Sequence, residues 1–167
     1  KTSLTASLAA LHNQEAENGP VIVDCDVDAP NLEILLGGED ISRQDFFGPE
    51  LAVIGDIDRE TALRLSEICV FGAISGRTVD PLRCVGCGVC RLAAPESVEM
   101  VPRKSGELIE RSTRFGPFFF GELLPGRPGF GGMISALRMK AEERALADPD
   151  SLILIDGSPG LGCRVTA

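Results

Sequence analysis

Three cysteines within seven residues, Cys84-Val-Gly-Cys87-Gly-Val-Cys90, dictate what the middle of this chain can become. Two residues between successive thiols let one loop wrap three sulfurs around a single polynuclear centre. Gly86 and Gly88, lying between them, keep backbone N–H groups close enough to hydrogen-bond those sulfurs. The spacing is that of a 4Fe–4S site. Zinc sites spend their cysteines as two separated pairs, and disulfide frameworks belong to oxidising compartments, so both are the lesser alternatives here.

The fourth thiolate has to come from elsewhere. A bacterial-type run continues with a cysteine four residues after the third and then proline; here those places hold Ala94 and Pro95. In two-cluster ferredoxins the fourth cysteine of each run serves the other cluster. The ligand is therefore sought at the end of an earlier run, and Cys69 ends such a stretch. Counting back from Cys69 by the same spacing reaches Arg59, Ala62 and Leu65, none of which binds iron. The losses form a set: Arg59, Ala62, Leu65 and Ala94 occupy every ligand place of one cluster. Cys69, Cys84, Cys87 and Cys90 occupy every place of the other. One intact 4Fe–4S cluster on a two-cluster scaffold is the expectation.

The 167 residues suffice for one core carrying a small insert. A net charge of −9 argues against non-specific nucleic-acid binding, which needs a basic surface to displace counterions. No apolar stretch approaches the roughly 20 residues of a membrane span. The opening Lys1-Thr-Ser-Leu has no basic region followed by a hydrophobic signal core, so a reducing cytoplasm is expected. Both ends read as cut, the first inside a helical pattern and the last after a strand and a Gly-rich turn.

Flanking the cysteine region, the pattern alternates helix and strand. Leu4, Leu8 and Leu11 mark one face of an amphipathic helix over 2–17, stopped by Asn18-Gly19-Pro20. Residues 21–25 form a short buried strand, followed by the acidic loop Asp24-Cys-Asp26-Val-Asp28. Pro30 opens a short helix to Leu36 that Gly37-Gly38 ends. Residues 106–124 read as a hairpin with an apolar Phe118–Phe120 strand. A Gly/Pro-rich loop over 125–132 reads as a mobile connection, and a helix follows over 133–147 with Ile134, Leu137 and Ala141 facing inward. The strongest strand, 152–155, runs into Asp156-Gly-Ser-Pro-Gly160. The reading is an α/β fold with a parallel sheet over 1–55 and 103–167, interrupted by an iron–sulfur insert over 56–102.

Ligands of open α/β sheets bind beyond the carboxyl ends of the strands, where this chain places Asp24, Asp26, Asp28 and Asp156. A Lys-Thr pair opening a helix is what a Walker A loop leaves when its glycines lie upstream. In that reading Lys1 reaches the β- and γ-phosphates, and the Thr2 hydroxyl, with Ser3 beside it, and Asp156 organise Mg²⁺. The helix N-terminus adds its positive end. Asp26 orients the attacking water, and Gly157 to Gly160 sense the γ-phosphate. Cys25 and Cys163 are expected as buried small residues, His12 on the solvated side of its helix, and Arg127 as a residue that could reach a partner or nucleotide.

The series Lys1-Thr-Ser-Leu, Val-Asp-Cys-Asp26-Val-Asp-Ala-Pro-Asn-Leu, a ferredoxin-spaced insert and Ile-Asp156-Gly-Ser-Pro-Gly160-Leu-Gly-Cys resembles the MinD-superfamily P-loop ATPases with an inserted ferredoxin domain. The resemblance runs from Lys1 to about Val165. It implies that Lys1 and Thr2 end the deviant Walker A loop and that Asp26 is the switch I acid. Asp156 to Gly160 then match the Asp-x-Pro-Pro-Gly region, with Ser158 in place of its first proline. It further implies ATP with Mg²⁺, a homodimer on ATP binding, and an ATPase if the missing glycines lie upstream. The family is similar to the nitrogenase iron protein and to cluster-scaffold ATPases, so the partner is a redox protein or a metalloprotein client. Two other readings stand beside it: a non-catalytic 4Fe–4S electron carrier on a degenerate P-loop scaffold, and a spatial-positioning ATPase. The last needs a membrane-targeting tail or a basic DNA-binding face, and this segment displays neither.

Overall fold

The computed structural model describes residues 1–15, 19–148 and 151–157. The chain divides into two compact units, one of residues 1–46, 106–124 and 129–167, the other of residues 47–105 and 125–128.

The first unit is a mixed α/β layer structure. With elements numbered in chain order, it contains α1 (Thr2–Glu15), β1 (Val21–Asp24), α2 (Leu32–Leu36), β2 (Glu39–Phe47), β7 (Lys104–Thr113), β8 (Gly116–Leu123), α5 (Phe130–Ala145) and β9 (Ile153–Asp156). The sheet order is β2-β7-β8-β1-β9. The strands β8, β1 and β9 are parallel, and β7 folds back antiparallel on β8 as the expected hairpin.

Alternation along the pleat fills both faces. Val21, Val23 and Phe119 pack with Met133, Ile134, Leu137 and Ala141 of α5. Ile22, Phe118 and Phe120 pack on the other face with Ala9, Leu32 and Leu36 of α1 and α2. Close approach of α5 to β8 needs Gly121, where an added Cβ would lie 2.5 Å from the Met133 sulfur.

Two expectations fail on α1. Leu4, Leu8 and Leu11 are 64%, 44% and 58% exposed, while Ala9 is fully buried and Ala6 packs beside it. The helix meets the sheet through its alanines, whose size permits a close approach, and that turns the leucines outward. His12 is half-buried, and its Nδ1 has no hydrogen-bond partner among the described residues. The polar strand β2, exposed along nearly its whole length, has no apolar pattern to announce it. The helix α5 opens at Phe130, inside what reads from sequence as a loop.

The second unit is a small α+β structure: β3 (Leu51–Ile54), α3 (Arg59–Ile68), β4 (Ile74–Ser75), β5 (Thr78–Val79), α4 (Val89–Ala93) and β6 (Val98–Val101). Antiparallel pairing of β3 with β6, Leu51 opposite Val101 and Ile54 opposite Val98, ties its two ends together. That pairing moves residues 47–55 into this unit, so it begins before residue 56. The core joins Ala52, Ile57, Leu65, Ile74, Ala94 and Val98 to Cys84 and Cys90. Among the described residues no helix is long and apolar enough to cross a membrane.

Candidate functional site

Local structure delivers the cysteines of the second unit one by one. The Asp58 carboxylate accepts the Thr61 N–H at 2.7 Å and starts α3, which ends at Cys69. The chain then turns at Gly72 (φ +59°), where the Gly72 N–H donates to the Cys69 carbonyl at 2.8 Å. The Ala73 N–H donates to the Cys69 sulfur at 3.4 Å. A turn opened by Asp80, whose carbonyl accepts the N–H of Cys84 at 3.0 Å, sets the first cysteine of the run.

Gly86 (φ +71°) and Gly88 (φ +76°) then bend the backbone so that Cys87 and Cys90 face the same space. At Gly86 a side chain is excluded twice. Its φ is left-handed, and a Cβ would stand 2.5 Å from the Glu50 carbonyl oxygen. Gly88 caps α4 in the same left-handed conformation, which puts Cys90 in the first turn of that helix.

All four expected ligands, Cys69, Cys84, Cys87 and Cys90, line one cavity of about 160 Å³. The rest of the wall is mainly apolar, Ile68, Val70, Phe71, Val79 and Met100 among it. Cys84 and Cys90 are buried, Cys69 is half-buried and Cys87 is exposed. These four and Cys25 are free thiols, so no disulfide joins the described cysteines. Burial pushes the Cys90 thiol up, and the neighbouring Cys84 and Cys87 add to the shift. A metal must therefore displace protons as it binds.

Among the described residues no group of three or more His, Cys, Asp or Glu converges on a single metal ion. The four thiols are distributed around the wall of one void. None of the residues assigned to a lost cluster lines this cavity. Leu65 is fully buried, Ala94 is buried and Ala62 packs with them in the unit's core, while Arg59 is exposed.

Sequence reasoning missed Arg103, which follows β6. It is 6% exposed, and its Nη1 and Nη2 donate to the carbonyls of Pro81 and Cys84 at 2.8 and 3.1 Å. No motif surrounds it in Pro102-Arg-Lys104, and its role comes only from tertiary placement.

In the first unit Lys1, Asp156 and Gly157 come together at the carboxyl end of β9, with Asp24 at the adjoining end of β1. The Lys1 Nζ donates to the Gly157 carbonyl at 3.0 Å, and Thr2 opens α1. Thr2 is half-buried and Ser3 exposed. Asp24 and Asp156 are register partners on adjacent strands, both buried. One oxygen of Asp24 accepts the Asp26 N–H at 2.9 Å and the other the Leu32 N–H at 3.2 Å, so Asp24 anchors the loop and the start of α2. Burial raises its carboxyl to about 6, against the two N–H bonds and with the help of the Asp156 and Asp26 charges. The Asp156 Oδ2 is buried with no partner among the described residues. Asp26 is half-buried at the turn, where its carbonyl accepts the Ala29 N–H. Cys25 is buried as expected, its thiol pushed up to about 11 chiefly by burial. Ser158, Gly160 and Cys163 lie outside the described residues.

No family model and no solved structure matches the chain. It is 34% identical over 164 residues, 98% of its length, to the uncharacterized protein MJ0578 of Methanocaldococcus jannaschii. The chain spans about half, 56%, of the length of that curated relative.

Proposed function

We propose that this chain is the iron–sulfur-bearing part of a MinD-type ATPase, with one 4Fe–4S cluster on Cys69, Cys84, Cys87 and Cys90. The observation that carries the reading is the shared cavity: four cysteines picked out by spacing alone, one of them fifteen residues before the others, line the same apolar void. When bound, the cluster supplies one-electron transfer. The protein's part is to hold it: Cys84 and Cys90 inside, Cys87 toward the surface, and Cys69 oriented by the Ala73 N–H.

The nucleotide half supports the ATPase part of the proposal through its chemistry. Lys1 offers a cation at the phosphate position, and the N-terminus of α1 adds its dipole. Asp156 has a carboxylate oxygen without a partner among the described residues that would enter the Mg²⁺ shell, and Asp26, on the adjoining loop, would orient water. Gly157 begins the segment that would answer to the γ-phosphate. Nucleotide state then gates electron delivery, or metal-centre assembly on a client, in a protein that dimerises on ATP. One ligand set means a single electron donor rather than a relay between two clusters.

Iron and acid-labile sulfide, measured anaerobically on the full-length protein with and without MgATP, test both halves. Four irons and a cluster signal that responds to MgATP support the proposal. A cluster indifferent to nucleotide supports the simpler electron carrier, and a protein without iron rejects both.

A further inference from the structure

We propose that Arg103 is the fixed counter-charge of the cysteine site: it clamps the Cys84 loop and raises the reduction potential of an anionic cluster held there. The proposal rests on the iron–sulfur reading above. Its ground is an imbalance in the second unit. A guanidinium 6% exposed would ordinarily sit against a carboxylate, because burying an unpaired charge is costly. None of the ion pairs among the described residues includes Arg103. Its two Nη groups spend their bonds on the carbonyls of Pro81 and Cys84, and its Nε is buried with no acceptor among the described residues. Burial works against the Arg103 positive charge.

A buried cation on the Cys84 carbonyl, with no acid paired to it among the described residues, forms a site waiting for negative charge. Four thiolates on a 4Fe–4S core supply it, since such a cluster is a net anion and becomes more negative on reduction. Nearby charge, hydrogen bonds and solvent exposure set the potentials of these centres. A buried guanidinium on the Cys84 carbonyl therefore favours the reduced state. It also fixes the loop that carries the first ligand of the run. Arg103 is a positioning residue and touches the protein's own backbone, not a substrate.

The test compares Arg103→Gln, which keeps a donor and removes the charge, with Arg103→Lys, which keeps the charge and removes the planar fork. Each full-length variant is reconstituted anaerobically, its iron and sulfide are counted, and its midpoint potential is titrated. The expected result is a potential shifted to more negative values in Arg103→Gln and close to wild type in Arg103→Lys. A Gln variant that fails to load beside a Lys variant with full iron and wild-type potential also upholds the charge requirement. Unchanged potentials in both, equal shifts in both, or failure of both to load overturn it and leave Arg103 a structural clamp. Wild-type protein that holds no iron and sulfide rejects the parent reading instead, so the two failures are distinct.

Discussion

The backbone N–H of Ala73 points at the sulfur of Cys69, 3.4 Å away. Donor and acceptor are four positions apart, and the turn between them closes through Gly72. A lone cysteine at the end of a helix is thereby aimed into the cavity that Cys84, Cys87 and Cys90 also line. The proposed ligand set depends on this turn, because Cys69 is the member that the tight run does not hold.

Gly86→Ala should weaken cluster loading and the second unit together. The left-handed backbone costs about 1–2 kcal/mol for any residue with a Cβ, and the Glu50 carbonyl must also move. The melting temperature and the iron content should both fall. Gly88→Ala, where a Cβ meets open space, should show the backbone cost alone and keep more iron.

Leu65→Ala should destabilise the second unit by about 2–5 kcal/mol, the range for emptying a buried leucine site. Denaturant titration of wild type and variant would measure it. Iron stoichiometry should stay at one cluster, since the place once counted as a ligand position is filled by core side chains.

The first unit should lose stability as pH rises through the titration of Asp24. Its folded carboxyl is raised from the ordinary 3.8 to about 6, so the folded state holds the proton more tightly than the unfolded chain. The contribution of this group is full below about pH 4 and is lost by up to about 3 kcal/mol above pH 6. Asp24→Asn should flatten that dependence, seen as a smaller difference between urea midpoints at pH 4.5 and pH 7. An unchanged pH profile would show that another group governs it.

Asp156→Asn and Lys1→Ala should each weaken MgATP binding by about tenfold or more, the loss of about 1.4 kcal/mol from one charged contact. Calorimetric titration of the full-length protein reads this. Equal affinity in wild type and both variants would remove these residues from the nucleotide site.

Sequence singled out the four cysteines that line one cavity because their spacing is local, and because the crossed rule turned one missing cysteine into a search for another. The α/β pattern of the first unit was legible for the same kind of reason: buried parallel strands leave apolar runs such as Val21–Val23 and Phe118–Phe120. What stayed hidden depends on tertiary placement. The strand β2 is polar and exposed, so no alternation marks it. The orientation of α1 turned on alanine against leucine, two residues that periodicity alone ranks the wrong way round for a closely packed helix. The boundary of the second unit follows from pairing between β3 and β6, some forty-five residues apart in sequence. Arg103 is invisible until its carbonyl partners are seen.

The most direct test is anaerobic iron and sulfide quantification with electron paramagnetic resonance of the reduced protein, wild type beside Cys69→Ala. Four irons and one cluster signal are expected in wild type, with loss of that intact cluster in the variant. Zinc in place of iron, eight irons, or a cluster that survives unchanged without Cys69 would contradict the proposed ligand set.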